Sequence, residues 1–83
     1  MTFEELKEKA LTLPYAPGVY IMRDKDDHVI YVGKAKKLKN RVSQYFQDTA
    51  SHNLKTQRMV GKVDRFEVIV AASEFEALVW SAH

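Results

Sequence analysis

Apolar residues near the start of the chain, Phe3, Leu6, Ala10 and Leu13, recur at helical spacing and predict a helix with one buried stripe. Thr2 and Glu5 have the spacing of a capping box, which starts that helix, and it runs to about Leu11. Pro14 and Pro17 stop it, and the second proline feeds an extended segment. The pattern then changes period. GVYIMR at 18–23 and HVIYV at 28–32 are rich in β-branched and aromatic residues, and the acidic turn 24–27 separates them, so they predict an antiparallel hairpin ending at Gly33. With residues 25 and 26 at the centre of the turn, Tyr20 stands opposite Tyr31 on one face. Helical spacing returns from Leu38 to Phe46, with Leu38, Val42 and Phe46 toward the core and Arg41 and Tyr45 sharing another face. Residues 47–53 read as loop, 54–62 as a helix and 64–72 as a strand in which Phe66, Val68 and Val70 alternate with Glu67 and Ile69. Ser73 and Glu76 form a second capping box, opening a last helix with Phe75, Leu78, Val79 and Ala82 near one face. The expected fold class is α/β (α+β): a small three-stranded antiparallel sheet flanked by helices, in the order α-β-β-α-α-β-α.

Composition narrows the classes. Eighty-three residues make one domain, 1–83. The chain has no cysteine, which excludes disulfides and thiolate metal sites and fits a reducing compartment. His28, His52 and His83 are scattered without ligand spacing, so a structural zinc site is not expected. The first ten residues, MTFEELKEKA, are acidic and amphipathic, unlike a signal peptide. No apolar run approaches the roughly 20 residues of a membrane span. The expected setting is cytoplasmic, with no membrane partner and a monomeric state. Net charge is only +2, but KAKKLKNR at 34–41 carries five cations and no acid. Such a stripe points to a polyanionic partner. An isolated run of this kind would more often be a solvated helix face.

Three features converge on one chemistry: a tyrosine on each strand of the hairpin, a Gly-Lys pair after it, and an arginine and a tyrosine on the next helix. Phosphodiester hydrolysis needs a deprotonated water, stabilised charge on the phosphoryl oxygens and a neutralised leaving oxygen. Facing phenols can orient water, and one can take its proton if a nearby cation favours phenolate over the ordinary pKa of about 10. Lys34 is the candidate cation, and Arg41 can meet phosphate through its planar fork. A divalent metal on a carboxylate usually completes such a site. At base rates, tyrosines in strands are half-buried packing residues, and Arg41 with Tyr45 could be a simple surface pair. Trp80 and Phe75 read most simply as core, His52 as an ordinary exposed histidine, and the acidic turn 24–27 as a solvated hairpin turn.

Gly18-Val19-Tyr20 and Tyr31-Val32-Gly33 resemble the paired signature tripeptides of the GIY-YIG nucleases. PGVYIM at 17–22, IYVGKAKKLKNRV at 30–42 and SQYF at 43–46 resemble the UvrC amino-terminal endonuclease type in particular. The likeness runs from about Leu13 to Trp80. It implies that Tyr20 and Tyr31 are the motif tyrosines, one of which activates the attacking water. It implies that Lys34 helps set the charge state there, that Arg41 polarises the scissile phosphate and that Tyr45 completes the pocket. Gly33 would allow close approach of backbone and substrate, and Lys36, Lys37 and Lys39 would track DNA phosphates. The implied activity is incision on the 3′ side of a lesion in nucleotide-excision repair, with one magnesium or manganese ion and with UvrB-type repair subunits as partners.

One departure bears on activity. In register with the family, Ser81 stands where the metal-binding glutamate belongs, so no metal ligand is assigned in this chain. Glu76 lies five residues back, roughly 140° around an ideal helix, and Glu74 lies ~10 Å along its axis. A serine hydroxyl is a feeble ligand for a hard cation. Weak metal binding and little cleavage are therefore expected, and the domain is expected to be truncated at its carboxyl end. The alternatives are a non-catalytic DNA-binding module, which salt would weaken steeply, and a protein-interaction module with an exposed apolar patch near Val79 and Trp80.

Overall fold

The structure is a computed structural model in which residues 1–47 and 49–72 are described. The predicted last helix, with Glu74, Phe75, Glu76, Leu78, Val79, Trp80, Ser81 and Ala82, lies outside the described residues.

Helix α1 spans Phe3–Leu11. Its capping box is formed: the Glu5 amide donates to Thr2 Oγ1 at 3.1 Å, and the Thr2 amide donates to Glu5 Oε1 at 2.8 Å. Leu6 and Ala10 are buried as the spacing predicted, whereas Phe3 stays 40% exposed and reaches the core edge-on against Phe46. Strand β1, Gly18–Arg23, is the centre of an antiparallel sheet of order β2-β1-β3, with β2 at Val29–Ala35 and β3 at Arg65–Val70. Helix α2 covers Leu38–Tyr45 and helix α3 covers Leu54–Lys62, and between them Thr49–Ser51 form one 3-10 turn. Phe46 caps α2 rather than continuing it.

The main core lies on one face of the sheet. Tyr20 and Met22 of β1 and Phe66 of β3 meet Leu38, Val42 and Phe46 of α2, with Leu6 and Ala10 from α1 and Val60 from α3. The predicted stripe Leu38–Val42–Phe46 is fully buried. On the other face Val19, Ile21 and Ala71 form a smaller cluster. Gly18 permits close layering: a Cβ there would lie 2.4 Å from the Ile69 carbonyl oxygen and 2.7 Å from Leu38 Cδ1.

Two expectations change. Strand β2 does not end at Gly33 but runs through Gly33 and Lys34 to Ala35. The hairpin register is also displaced by two residues: Tyr20 pairs with Gly33, and Tyr31 pairs with Met22. The cause is the turn. Asp24 Oδ1 accepts the amides of Asp26 and His28, both at 2.9 Å, and Asp27 adopts φ 66, a left-handed conformation that Asp tolerates better than most residues. A register shift between Met22 and Arg23 then leaves an extra residue on β2. Because the displacement is even, Tyr20 and Tyr31 keep a common face. β3 is shorter than predicted, and its inward alternation fades: Phe66 is buried, but Val70 is half-exposed.

Candidate active site

Three tyrosines from three elements meet beside β2. Tyr20 comes from β1, Tyr31 from β2 and Tyr45 from the last turn of α2. Their ring centroids are 6.0 Å apart for Tyr20–Tyr31, 5.7 Å for Tyr20–Tyr45 and 6.4 Å for Tyr31–Tyr45, all within the range of aromatic contact. The Tyr20 and Tyr45 hydroxyls are hydrogen-bonded at 2.7 Å. Gly33 makes this possible. A Cβ on it would lie 2.2 Å from Tyr20 Cζ and 2.3 Å from Oη, so the Tyr20 ring lies across the glycine of its partner strand. Gly33 thereby has a role in seating Tyr20, besides any approach of substrate.

The three phenols differ in environment. Tyr20 is 2% exposed, Tyr45 is half-buried and Tyr31 is 42% exposed. Burial pushes the Tyr20 phenol well above its ordinary value, and its hydrogen bond to Tyr45 adds to the rise. Burial also raises Tyr45; the hydrogen bond from Tyr20 opposes that rise, and Tyr31 reinforces it. The common hydrogen bond thus raises Tyr20 and lowers Tyr45, which makes Tyr20 the donor when Tyr45 gains negative charge. Protons are held most firmly at the buried end of the cluster. The cation that acts on both Tyr20 and Tyr45 is Arg41, one turn before Tyr45 on α2 and exposed.

Lys34 is differently placed. It pairs with Val19, so its Cβ leaves the sheet on the face opposite Tyr20 and Tyr31. It is exposed on the edge strand. To act on Tyr31, its chain has to reach round that edge. Lys36, Lys37 and Lys39 follow at the junction of β2 and the first turn of α2, where no acidic residue stands. Lys37 is the N-cap of α2 and makes no side-chain capping bond.

His52, read from sequence as an ordinary exposed residue, is half-buried against this cluster. Its ring centroid is 6.1 Å from that of Tyr45, and Nε2 lies 3.4 Å from the Tyr45 carbonyl oxygen. An unpaired carbonyl at a helix C-terminus attracts such a donor. The seven-residue separation gave no periodic signal of the contact.

A divalent cation finds few ligands in this cluster. Among the described residues, the groups that act on Tyr20 and Tyr45 are each other, Tyr31 and Arg41, with no carboxylate among them. Among the described residues, the one cluster of three metal-capable groups is Asp24, Asp26 and His28, in the hairpin turn. The described part of the site is a cluster of phenols beside the Arg41 cation, a donor set that does not by itself fit a hard cation.

Residues 16–83 match the family described as the UvrC-like GIY-YIG domain. The chain is 52% identical over 75 residues to the UvrABC system protein C of Clostridioides difficile (strain 630), covering 90% of this chain and 12% of that protein. It therefore spans a small part of that relative's length. It is also similar to the magnesium-bound GIY-YIG N-terminal endonuclease domain of UvrC from Thermotoga maritima. There the TM-score is 0.85 at 38% identity, covering 99% of this chain and 86% of that one. A point mutant of the Thermotoga domain with one tyrosine changed to phenylalanine, also bound to its catalytic divalent cation, matches with TM-score 0.85 at 36% identity over the same shares.

Proposed function

This chain belongs to the UvrC-like GIY-YIG domain family, and on that premise we propose that it is a DNA endonuclease module of nucleotide-excision repair. The reaction is hydrolysis of a phosphodiester on the 3′ side of a lesion. The observation that carries this reading is the meeting of Tyr20, Tyr31 and Tyr45 beside Arg41.

Roles follow from environment. Tyr20 and Tyr45 hold their protons because burial disfavours phenolate. They are scaffold and hydrogen-bond donors, not bases. Tyr31, the most exposed of the three, can reach a solvent water and is assigned as the phenol that orients it and accepts its proton. Arg41 stabilises negative charge on the phosphoryl oxygens. Lys34 adds positive charge at the strand edge, and Lys36, Lys37 and Lys39 hold flanking phosphates. In the family the divalent cation supplies further charge neutralisation. The described residues lack the carboxylate for it, and position 81 carries serine, so this chain binds the cation weakly and cleaves little. Other excision-repair subunits are its proposed partners, and a monomer its proposed state.

The test is nicking of damaged or flapped DNA with magnesium or manganese, run on this chain and on Ser81→Glu. Cleavage confined to the glutamate form is expected. Failure of both forms to cut, with the fold intact, overturns the catalytic assignment.

The uncapped, cationic start of α2 favours a second reading, a DNA-binding module that does not cut. Under it, both forms bind DNA in a salt-dependent way and neither nicks.

A further inference from the structure

Residues 14–16, PYA, precede the PGVYIM word that begins at Pro17, yet the segment 14–17 is built into the start of α2. The Leu38 amide donates to the Ala16 carbonyl at 2.9 Å, and the Lys39 amide donates to the Pro14 carbonyl at 3.2 Å. At its far end the Pro17 carbonyl accepts the Ala71 amide at 2.9 Å. Tyr15 sits between the two carbonyls that clamp the helix, with a proline on one side and another two residues on. Proline fixes φ at both places, so this backbone is braced. Its side chain is not packed away: Tyr15 is 66% exposed, more than any other large hydrophobic residue among those described. Lys39 Nζ lies 4.7 Å from the Tyr15 ring centroid, a cation–π distance.

A ring two-thirds exposed contributes little to the core, and among the described residues its cationic neighbour is Lys39. Burial of a ring stabilises a fold, and this ring is left in water. Its chemistry suits a flat, apolar, electron-rich partner attached to an anion, namely a nucleobase beside its phosphate. We propose that Tyr15 is a stacking platform for an unpaired DNA base, held next to the phosphates that Lys36, Lys37 and Lys39 contact. This rests on DNA as the substrate class and adds to it a preference for locally unpaired DNA. The lysine run acts on the backbone regardless of strand state. Tyr15 acts only where a base is free to leave the stack.

The experiment is fluorescence anisotropy with a labelled single-stranded oligothymidylate and a fully paired duplex, over a range of salt. Tyr15→Ala is expected to weaken single-strand binding roughly tenfold, within the reach of one base–aromatic stack. The slope of log affinity against log salt stays unchanged, because stacking releases no counterions. Tyr15→Phe keeps parental affinity, since the ring and not the hydroxyl does the stacking. Tyr15→Leu, which keeps apolar bulk under Lys39, weakens binding like alanine. Lys39→Gln instead flattens the salt slope, by about 0.7 for one phosphate contact on a single strand. Paired duplex is nearly indifferent to Tyr15. Circular dichroism and melting curves establish that each variant is folded. Equal single-strand affinity for folded Tyr15→Ala and the parent, with salt-dependent binding retained, overturns the platform and leaves the nuclease reading standing. Absence of salt-dependent binding in the parent overturns both.

Discussion

Gly33 illustrates how one residue supports the site without taking part in chemistry. The Tyr20 ring occupies the space where any side chain would begin. Gly33→Ala should therefore displace Tyr20 and cost about 1–3 kcal/mol, the range for forcing extra volume into a packed interior, as measured by urea unfolding. The Tyr20–Tyr45 hydrogen bond makes a second prediction. Tyr45→Phe strands the buried Tyr20 hydroxyl and should cost about 1–3 kcal/mol, whereas Tyr20→Phe leaves the half-buried Tyr45 hydroxyl and should cost less. Both phenols are held neutral above the ordinary value of about 10. The folded protein thus keeps protons that the unfolded chain releases once the pH passes that value. The phenols' contribution to stability should be level below about pH 10 and fall as the pH rises beyond it. Tyr45→Phe should reduce that alkaline loss in pH-dependent melting curves. The tyrosines were legible from their flanking tripeptides. Their pairing was not, because it depends on how Asp24 and Asp27 shape a turn, and side-chain hydrogen bonds of that kind leave no periodic trace.

Among the elements, α2 departs most from what helix physics favours. Lys37 at its N-cap, with Lys36, Lys39 and Arg41 around it, crowds positive charge onto the positive end of the helix dipole. Conflicts between local preference and sequence are expected where function demands them. Lys37→Ser should raise stability by about 0.5–1 kcal/mol through capping and charge removal. It should also weaken DNA binding and flatten its salt slope, so melting temperature and anisotropy move in opposite senses. Improved stability with unchanged binding would remove Lys37 from the DNA-contacting set. At the opposite end of the hairpin, Asp27 meets Arg65 and Arg23, and the hydrogen bond from Arg65 holds its carboxyl below the usual range. That contribution is present above the unfolded value and is lost as the pH falls through the folded one. Asp27→Asn should flatten the acid limb of the stability profile, seen by melting across acidic pH. Helix α1 was legible because its capping box and apolar spacing agree, and α2 from its apolar spacing alone, since it lacks a side-chain cap. The end of β2 was not: Gly33 reads as a terminator, but here it continues the strand because only glycine fits beneath Tyr20.

For the whole molecule, the sheet order β2-β1-β3 puts β1 at the centre, and α2 packs on the face that bears the tyrosines. That arrangement brings Tyr20, Tyr31 and Arg41 together across 21 residues of chain. The same topology roots Lys34 on the other face, a division that no linear spacing displayed. The family was legible in full, since both tripeptides and the basic helix stand in order. The metal position inferred from the family resemblance, Ser81, lies outside the described residues. No helix among the described residues is long and apolar enough to cross a membrane. The most direct test of the tyrosine–Arg41 cluster as the cleavage centre is the single-turnover nicking rate of Ser81→Glu compared with Ser81→Glu/Arg41→Ala, in magnesium and with DNA saturating. Removing one preformed donor to a developing anion should slow nicking by about 10²–10³-fold, with melting temperature unchanged. Equal nicking rates in the two proteins would contradict that assignment.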